Sequence, residues 1–483
     1  MVWFIGGMDS WATFGGDLHL DLDAGRARGL GLRAALEDAL RTAVRDGRLA
    51  AGTRLPSSRA LAVDLGIARN TIAEAYTQLA AEGWLASRQG SGTVVAERGP
   101  QSAPAVPPPG LRVPRPPVHN LRPGSPDLSR FPRGAWLAAA RRALATAPHE
   151  AFGYGDPRGR IELRRALAAY LARARGVRTD PERLLVCTGY LQGLGLLCAA
   201  LREHGLTAVA VEEYGLPPQH AAITARGLAL RPLPLDEGGA RTDELARTDA
   251  GLAVLTPAHQ FPTGVPLRAS RRAAAVDWAR QGGGYLLEDD YDGEFRYDRH
   301  AIGAMQALDP ERVVYAGTAA KSLAPGLRLA WLALPAALVE PVARHKRLAD
   351  LQSGALEQLT LAELIDSGDY DRHVRRSRHL LRRRRDRLVE VLADRVPAVR
   401  VTGLNAGLHA VLELPADGPD EDELLRRARQ SGLALTTLGW HLAPGAGPAP
   451  GRRPGLVIGY GTPFEHAFEG ALDALCDLLA QPL

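Results

Sequence analysis

Cysteine, lysine and long apolar runs are scarce in this chain of 483 residues. The three cysteines, Cys187, Cys198 and Cys476, are scattered and form no Cys-x-x-Cys pair, so neither a disulfide framework nor a zinc site is predicted. No apolar run reaches the roughly 20 residues that span a bilayer, so we expect no membrane segment. The opening MVWFIGGMDSWATFGGD lacks a basic start and is broken by Asp9, which favours a flexible extension over a signal peptide. Together these absences predict a cytoplasmic protein.

Lysine is nearly absent: Lys321 and Lys346 stand against 57 arginines. A lysine that persists in such a chain is a candidate for chemistry that arginine cannot perform, such as losing its proton and attacking an aldehyde. Lys321 lies in the segment GTAAKSLAPGLR, which favours that interpretation. Lys346, in the run ARHKRL, is interpreted as a lysine retained by chance. The net charge of +5 is mild, so its distribution matters more than its total.

The composition divides the chain into four segments. Residues 1–17 are the predicted extension, and residues 18–96 form a compact, helix-rich unit with apolar spacings of three and four. Residues 97–119 contain eight prolines, which predicts an extended, semi-rigid linker. In residues 120–483 helical stretches alternate with apolar runs such as RLLVCT, TAVAVEE, GLAVLTP, GYLLEDD and RVVYAGT. This alternation predicts an α/β domain with a mostly parallel sheet, followed by a smaller α+β subdomain.

The segment LPSSRALAVDLGIARNTIAEAYTQLAAEGWLASRQGSGTVV predicts a winged helix-turn-helix. Ser57 or Ser58 can cap a first helix, Gly66 supplies the turn, and a second helix follows from about Ala68. A hairpin with a Gly-rich tip comes next. A small helical scaffold with solvated arginines remains the alternative on these residues alone.

The whole order resembles the DNA-binding domain of the GntR family of bacterial regulators. That resemblance implies DNA contacts from the LPSSR segment, from the start of the second helix and from the wing. The expected DNA-binding residues are Arg54, Arg59, Arg69, Asn70, Thr71, Arg88, Gln89 and Gly90.

Three segments of the large domain carry a second pattern. Lys321 follows a strand, with Thr318 and Arg328 nearby as anion-binding side chains. The run YLLEDDYDGEF ends in acids that can hold the nitrogen of a bound pyridine ring protonated. In CTGYLQG a strand leads into a helix whose first N–H groups can bind a phosphate. Each piece alone has an ordinary explanation: a solvated lysine, a strand-end turn or metal carboxylate, and a turn with a helix cap.

Together these segments, with FGYGDPRGRIELR and TPAHQFPTG, resemble the fold-type-I aminotransferases and specifically the MocR subfamily, which joins a GntR head to an aminotransferase-like body. The resemblance implies pyridoxal 5'-phosphate as cofactor, with Lys321 as the Schiff-base lysine, Asp289 on the ring nitrogen and Tyr291 on the ring hydroxyl. The other implied contacts are Gln260 near the hydroxyl, Tyr190, Leu191, Thr318 and Arg328 at the phosphate, and Tyr154 at the phosphate of the partner subunit.

Two departures from the family pattern bear on function. Leu216 stands where aminotransferases carry the aromatic ring that stacks on the cofactor, with Tyr214 two residues earlier. Leu456 stands at the position of the arginine that binds a substrate carboxylate, and Arg452 and Arg453 precede it in a Gly/Pro-rich loop.

These departures favour a homodimeric transcription regulator over an enzyme. We expect it to bind double-stranded DNA at two half-sites and to respond to pyridoxal phosphate or a small-molecule effector, with vitamin B6 metabolism as a candidate target. The alternatives are an active aminotransferase with an appended DNA-binding head and a dimerising scaffold without an effector response.

Overall fold

The computed structural model describes Leu20, Leu22 and residues 29–88, 92–97, 117–297, 302–403, 406–415, 420–447 and 454–480. The chain divides into two compact units, Met1–Pro114 and Arg115–Leu483. None of the helices in the described ranges combines the length and apolar character that a membrane crossing requires. The predicted extension at residues 1–17 and most of the predicted linker at residues 97–119 lie outside these ranges, so their boundaries stay predictions.

The first unit contains three helices and a two-stranded antiparallel hairpin. They are α1 (Leu32–Arg45), α2 (Ser58–Leu65), α3 (Arg69–Ala81), β1 (Leu85–Arg88) and β2 (Gly92–Val95). Ser57 caps α2 by accepting a hydrogen bond from the Ala60 N–H at 3.1 Å. Gly66 ends α2 in the left-handed region, with φ of 64°, so that α3 can begin after a short turn. The predicted helix-turn-helix with its wing is confirmed.

One apolar core holds this first unit together. Leu36 of α1 and Ile72 and Leu79 of α3 are buried in it, because spacings of three, four and seven place apolar residues on one helix face. The Tyr76 hydroxyl donates to the Pro56 carbonyl at 3.0 Å and ties α3 to the turn before α2. The first turn of α3 is left facing solvent.

The second unit is an α/β body whose central sheet carries helices on both faces. Its helices are α4 (Arg133–Thr146), α5 (Ile161–Arg175), α6 (Tyr190–Glu203), α7 (Pro217–Thr224), α8 (Ala269–Gly282), α9 (Ala336–Asp350), α10 (Ala355–Asp366), α11 (Asp369–Arg395), α12 (Glu421–Gln430) and α13 (Phe468–Ala480). Its larger strands are β4 (Leu184–Cys187), β5 (Ala208–Glu212), β6 (Ala229–Leu233), β9 (Leu252–Leu255), β10 (Tyr285–Asp289), β11 (Val313–Thr318), β12 (Ala330–Ala333), β13 (Arg400–Thr402), β14 (Ala410–Glu413) and β17 (Gly455–Ile458). Five two-residue strands complete it: β3 (His119–Asn120), β7 (Leu235–Asp236), β8 (Gly239–Ala240), β15 (Leu433–Ala434) and β16 (Thr436–Thr437).

Seven strands form the central sheet in the order β4-β12-β11-β10-β9-β5-β6. Neighbours from β11 to β6 are parallel, whereas β12 is antiparallel to both β11 and β4. The mostly parallel sheet predicted from the alternating pattern is confirmed. Because parallel strands end at the same edge, the last residues of β5, β9, β10 and β11 meet there.

A smaller antiparallel sheet, β13-β14-β17-β16, forms the C-terminal subdomain. Its core joins Leu412 and Leu456 to Leu388 of α11 and Leu475 of α13. Strand β3 pairs in parallel with β15, so the segment that opens the second unit also belongs to this part of the structure. The sequence analysis had placed His119 in the linker, but the structure places it in β3.

Candidate functional site

A cavity of about 360 Å³ opens where the parallel strands of the central sheet end. Glu212 ends β5, Asp289 ends β10 and Thr318 ends β11, and all three line it. The carboxyl edge of an open α/β sheet is where such folds bind ligands. The C-terminal subdomain contributes a further wall: Leu408, His409, Thr436, Trp440 and His441.

Lys321 lies on the wall of this cavity, three residues after β11, with a half-buried side chain. Its Nζ donates a hydrogen bond to the Gly124 carbonyl at 2.5 Å. Burial lowers the pKa of the Lys321 ammonium, and the Asp289 carboxylate partly offsets this effect. An amine with a lowered pKa is more often the neutral nucleophile that can bond to an aldehyde carbon.

The two consecutive aspartates after the run YLLE have different surroundings. Burial raises the pKa of Asp289 to about 8, while nearby Lys321 acts in the opposite direction. Asp290 turns into the core, where Arg175 donates two hydrogen bonds, at 2.6 and 3.0 Å, and the Tyr315 hydroxyl a third at 2.8 Å. Only Asp289 of the two lines the cavity, where a protonated ring nitrogen would stabilise its charge.

The turn between β4 and α6 has the form of an anion-binding site. Gly189 adopts a φ of 104°, and a Cβ at this position would overlap the guanidinium of Arg328. Arg328 donates from Nη2 to the Thr188 carbonyl at 2.6 Å, which fixes the guanidinium beside the turn. Tyr190 and Leu191 open α6 and line the cavity, and the first N–H groups of a helix have no partner within it. This donor set fits a phosphate group.

Thr318, predicted at the same phosphate, also lines the cavity. Its hydroxyl donates to the Leu329 carbonyl at 3.2 Å and accepts from the Ala320 N–H at 3.1 Å. The structure therefore brings Lys321, Asp289, Tyr291, Tyr190, Leu191, Thr318 and Arg328 together around one cavity.

Tyr291 connects the cavity to a buried polar cluster. Its hydroxyl lies 3.1 Å from His259 Nδ1, which also lies 2.8 Å from Asp292 Oδ2. His259, Asp292 and His409 are buried with ligand-type atoms within 4.8 Å of one another. However, His409 Nε2 faces the Pro262 carbonyl at 3.0 Å and must donate to it. The cluster is satisfied by its own hydrogen bonds, and we assign no metal to it.

The structure corrects the prediction for Gln260, which does not line the cavity. Its Nε2 donates to the Tyr214 carbonyl at 2.9 Å, and its Oε1 accepts from the Thr263 hydroxyl at 2.6 Å. The amide therefore joins its own turn to the segment that follows β5. The next residue, Phe261, lines the cavity instead and packs edge-on against Tyr291, with ring centroids 5.8 Å apart.

The structure shows where the residues that depart from the family pattern lie. Leu216 and Tyr214 both line the cavity, so both remain beside the place where an aromatic ring is expected. Leu456 points into the core of the small subdomain, and Val457 lies on the opposite face in a cluster that includes Tyr214. Because side chains alternate along a strand, the two residues lie on opposite faces of β17, and neither lines the cavity. Arg452 and Arg453 lie outside the described residues.

Tyr154 is not part of this cavity. It is 90% exposed, on a loop that Gln352 holds by accepting from the Gly155 N–H at 2.5 Å and donating to the Gly153 carbonyl at 3.1 Å. A tyrosine so exposed on a braced loop is compatible with a role in a second subunit, which stays a prediction.

Several residues that line the cavity were not predicted: Arg122, Glu212, Phe261, His409, Trp440 and His441. Phe261 lies within the motif TPAHQFPTG, and Glu212 lies in the apolar run TAVAVEE at the end of β5, so the sequence contained a signal for both. The other four come from segments far apart in sequence, and no local pattern marks them.

The predicted DNA-facing residues of the first unit share one property. Arg59, Arg69 and Asn70 are exposed, and none forms a hydrogen bond or ion pair with another described residue. Two arginines of α1 behave differently: Arg41 donates to Glu82 at 2.8 and 2.9 Å, and Arg33 lies 3.4 Å from Glu74. Arg59 and Arg69 therefore carry charge that no described acid neutralises, at α2 and at the start of α3, where a helix-turn-helix meets DNA.

The remaining predicted contacts lie in α3 and around the wing. Thr71 is half-buried in the first turn of α3. In the wing, the Arg54 guanidinium lies beside Gly92 of β2. Arg88 ends β1. Gln89 and Gly90 lie outside the described residues, so their roles stay predictions.

Comparison with known proteins agrees with this two-part structure. Residues 32–95 match the family of bacterial regulatory proteins of the gntR type, and residues 118–447 match the aminotransferase class I and II family. The fold of the second unit resembles that of an archaeal alanine:glyoxylate aminotransferase, with a TM-score of 0.68, 22% identity, and coverage of 76% of this chain and 91% of the other.

Two relatives are similar to this chain over most of its length. An uncharacterised HTH-type transcriptional regulator of Bacillus subtilis, YhdI, is 35% identical over 80% of this chain and 84% of its own length. The pyridoxine biosynthesis regulator PdxR of Corynebacterium glutamicum is 32% identical over 92% of this chain and 95% of its own length. The chain belongs to the MocR subfamily of GntR-type transcription regulators, in which a DNA-binding head is joined to an aminotransferase-like domain.

Proposed function

We propose that this regulator binds pyridoxal 5'-phosphate in the cavity around Lys321, and that the ligand state of this cavity sets the affinity of its heads for DNA. The observation that carries the proposal is the convergence of Lys321, Asp289 and the start of α6 on one cavity. When bound, the cofactor supplies an aldehyde that captures amines and a ring that withdraws electrons.

Each of these residues has a defined task in the proposal. Lys321 would supply the amine for the cofactor's aldehyde, and its lowered pKa favours the neutral form of that amine. Asp289 would keep a proton on the ring nitrogen, and Tyr291 would hydrogen-bond the ring hydroxyl. Tyr190 and Leu191 bind the phosphate through backbone N–H groups. Side chains of Thr318 and Arg328 add to this phosphate site, together with Tyr154 of the partner subunit.

DNA recognition belongs to the first unit in this proposal. Two heads, carried by a homodimer of the second unit, bind two half-sites, and a ligand changes affinity by changing how the heads are presented. PdxR of C. glutamicum is named for pyridoxine biosynthesis, and its similarity favours vitamin B6 metabolism as the regulated process here.

The test is a DNA-binding titration after genomic selection has supplied an operator sequence. We expect pyridoxal phosphate to change the affinity of the wild type, by a factor of about 5–150 for an ordinary allosteric coupling. Lys321→Ala should remove this response and keep basal DNA binding, because the head does not contain Lys321. Equal affinities with and without the cofactor would leave the scaffold alternative.

A second candidate is an aminotransferase with an appended head, which the fold of the second unit favours. The apolar side chains of Leu456 and Val457 argue against it, because β17 offers no arginine for a substrate carboxylate. Turnover of the purified protein with a panel of amino and keto acids separates the two functions. Rapid transamination at a rate that does not change when operator DNA is added would favour the aminotransferase function.

A further inference from the structure

Strand β17 carries no cationic side chain that could serve as a carboxylate anchor, and none of its residues lines the cavity. All four residues of Gly455–Ile458 are buried, and none carries a charge. A ligand oxyanion placed against this strand would lose its hydration without gaining a cationic partner, which is strongly unfavourable. If the cavity accepts an anionic ligand beside the cofactor, another segment must provide the cation.

The segment around Arg122 lies directly beside the end of this strand. The Gly459 N–H donates to the Leu121 carbonyl at 2.7 Å, and the Thr462 hydroxyl donates to the Arg122 carbonyl at 2.6 Å. A Cβ on Gly459 would lie 2.5 Å from that same carbonyl oxygen, so glycine permits the close approach. Two residues after Arg122, the Gly124 carbonyl accepts the Lys321 hydrogen bond. The backbone of Arg122 is therefore held between the end of β17 and the reactive amine, and its exposed side chain lines the cavity.

Three cationic side chains line the cavity: Lys321, Arg328 and Arg122. The first is the candidate nucleophile, and the second is bonded to the turn before α6. The guanidinium of Arg122 forms no hydrogen bond or ion pair with any residue in the described ranges. Of the two acids on the cavity wall, Glu212 accepts from Thr256 and Gln260, and Asp289 is the proposed partner of the ring nitrogen.

We propose that Arg122 binds the oxyanion group of the small-molecule ligand, replacing an arginine of β17. A guanidinium presents two parallel N–H donors that match a carboxylate. The inference rests on the proposed function, because it places the ligand at the Lys321 end of the cavity. The corresponding ligand class is a primary amine that carries an acidic group.

The test uses the full chain loaded with pyridoxal phosphate and compares acids with matched amines. The probes are L-alanine and β-alanine against ethylamine, and 5-aminopentanoate against butylamine, titrated by the change in the visible band of the bound cofactor. We expect the wild type to bind at least one acid about tenfold more tightly than its amine, a difference of about 1.4 kcal/mol. Arg122→Gln should remove this preference without changing affinity for the amine.

Two further variants make the result specific. Arg122→Lys keeps the charge without the fork and should retain part of the preference. Arg202→Gln removes an exposed arginine that does not line the cavity and should keep the whole preference. A preference that persists in Arg122→Gln, or no acid preference in the wild type, would overturn the inference. Failure of the cofactor to bind the wild type at all would instead defeat the proposed function.

Discussion

Lys346 Nζ lies 2.5 Å from Asp350 Oδ1 and 2.6 Å from Oδ2, and the lysine is completely buried. The structure thus corrects the interpretation that this lysine was retained by chance. Asp350 also accepts from Gln192 Nε2 at 2.7 Å, and Gln192 Oε1 accepts from the Thr188 N–H at 2.8 Å. The buried ion pair therefore buttresses the turn that precedes α6.

Replacing Lys346 by methionine should lower the free energy of unfolding by about 2 kcal/mol, less than for a fully buried pair because Asp350 is partly exposed. It should also weaken cofactor binding, since the turn at Thr188 loses a support. Thermal unfolding and a cofactor titration measure the two effects. The double variant Lys346→Met with Asp350→Leu should recover much of the stability, because no lone charge is left. Full stability of the single variant would contradict this account.

Asp289→Asn should keep the fold and the amine of Lys321 but weaken cofactor binding by about 2–3 kcal/mol, as for a lost charge-assisted hydrogen bond. Absorbance titration with pyridoxal phosphate measures this loss. Asp292→Asn offers a matched control on the same turn, because Asp292 contacts His259 and does not line the cavity. A larger loss of cofactor affinity in Asp292→Asn than in Asp289→Asn would assign the ring-nitrogen contact to Asp292 instead.

The pH dependence of stability should reveal His441. Its Nδ1 lies 3.1 Å from the Gly215 carbonyl and must donate to it, while Nε2 lies 3.1 Å from the Thr436 hydroxyl and accepts from it. Burial lowers the pKa of His441 from 6.5 to about 4. His441 is therefore protonated below about pH 6.5 in the unfolded chain, but only below about pH 4 in the folded protein.

The neutral His441 side chain therefore makes its full contribution to the free energy of unfolding above pH 6.5. This contribution is lost as the pH falls from 6.5 to about 4. The stability difference between the wild type and His441→Gln should shrink by about 2 kcal/mol from pH 7 to pH 5. Thermal unfolding at pH 7, 6 and 5 tests it. A difference that is constant with pH would show that His441 titrates normally.

The DNA-facing residues should separate into two classes. If Arg59 contacts phosphate, Arg59→Ala should weaken binding to every sequence and reduce the salt slope by about one unit. If Arg69 or Asn70 contacts a base, its alanine variant should cost about 1–3 kcal/mol and relax preference at one position. Anisotropy titrations against operator and scrambled DNA at several salt concentrations distinguish them. Identical, sequence-independent losses in all three variants would mean that the recognition helix is misassigned.

Subunit mixing should test the proposed role of Tyr154. Separately, Lys321→Ala and Tyr154→Ala dimers should bind the cofactor poorly. In a mixed dimer, one site has both defects, and the other combines an intact Lys321 with an intact Tyr154 of the partner subunit. Mixing should therefore restore full-affinity binding at one site per mixed dimer, measured by absorbance after exchange. No recovery despite verified exchange would mean that Tyr154 acts within its own chain.

The sequence predicted those parts of the fold and site that lie in contiguous segments. Lys321 and Thr318 follow one apolar run and Asp289 another, so strand ends alone placed them together. His441 and Gly215, by contrast, are 226 positions apart, and no local sequence pattern predicts the hydrogen bond between them. Gln260 lies off the cavity because its amide donates to the Tyr214 and Phe261 carbonyls, which composition does not reveal. The assignment of Leu456 to the arginine position stays a prediction.

The burial of Lys346 also determines which lysine of this protein can react with an aldehyde. Because the chain has only two lysines and Asp350 holds one of them out of reach, Lys321 is the lone side-chain amine open to capture. Borohydride treatment in excess pyridoxal phosphate should label one lysine per chain. A lysine-rich protein would react with such an aldehyde at many surface positions, whereas under the proposed function this chain would react at a single position.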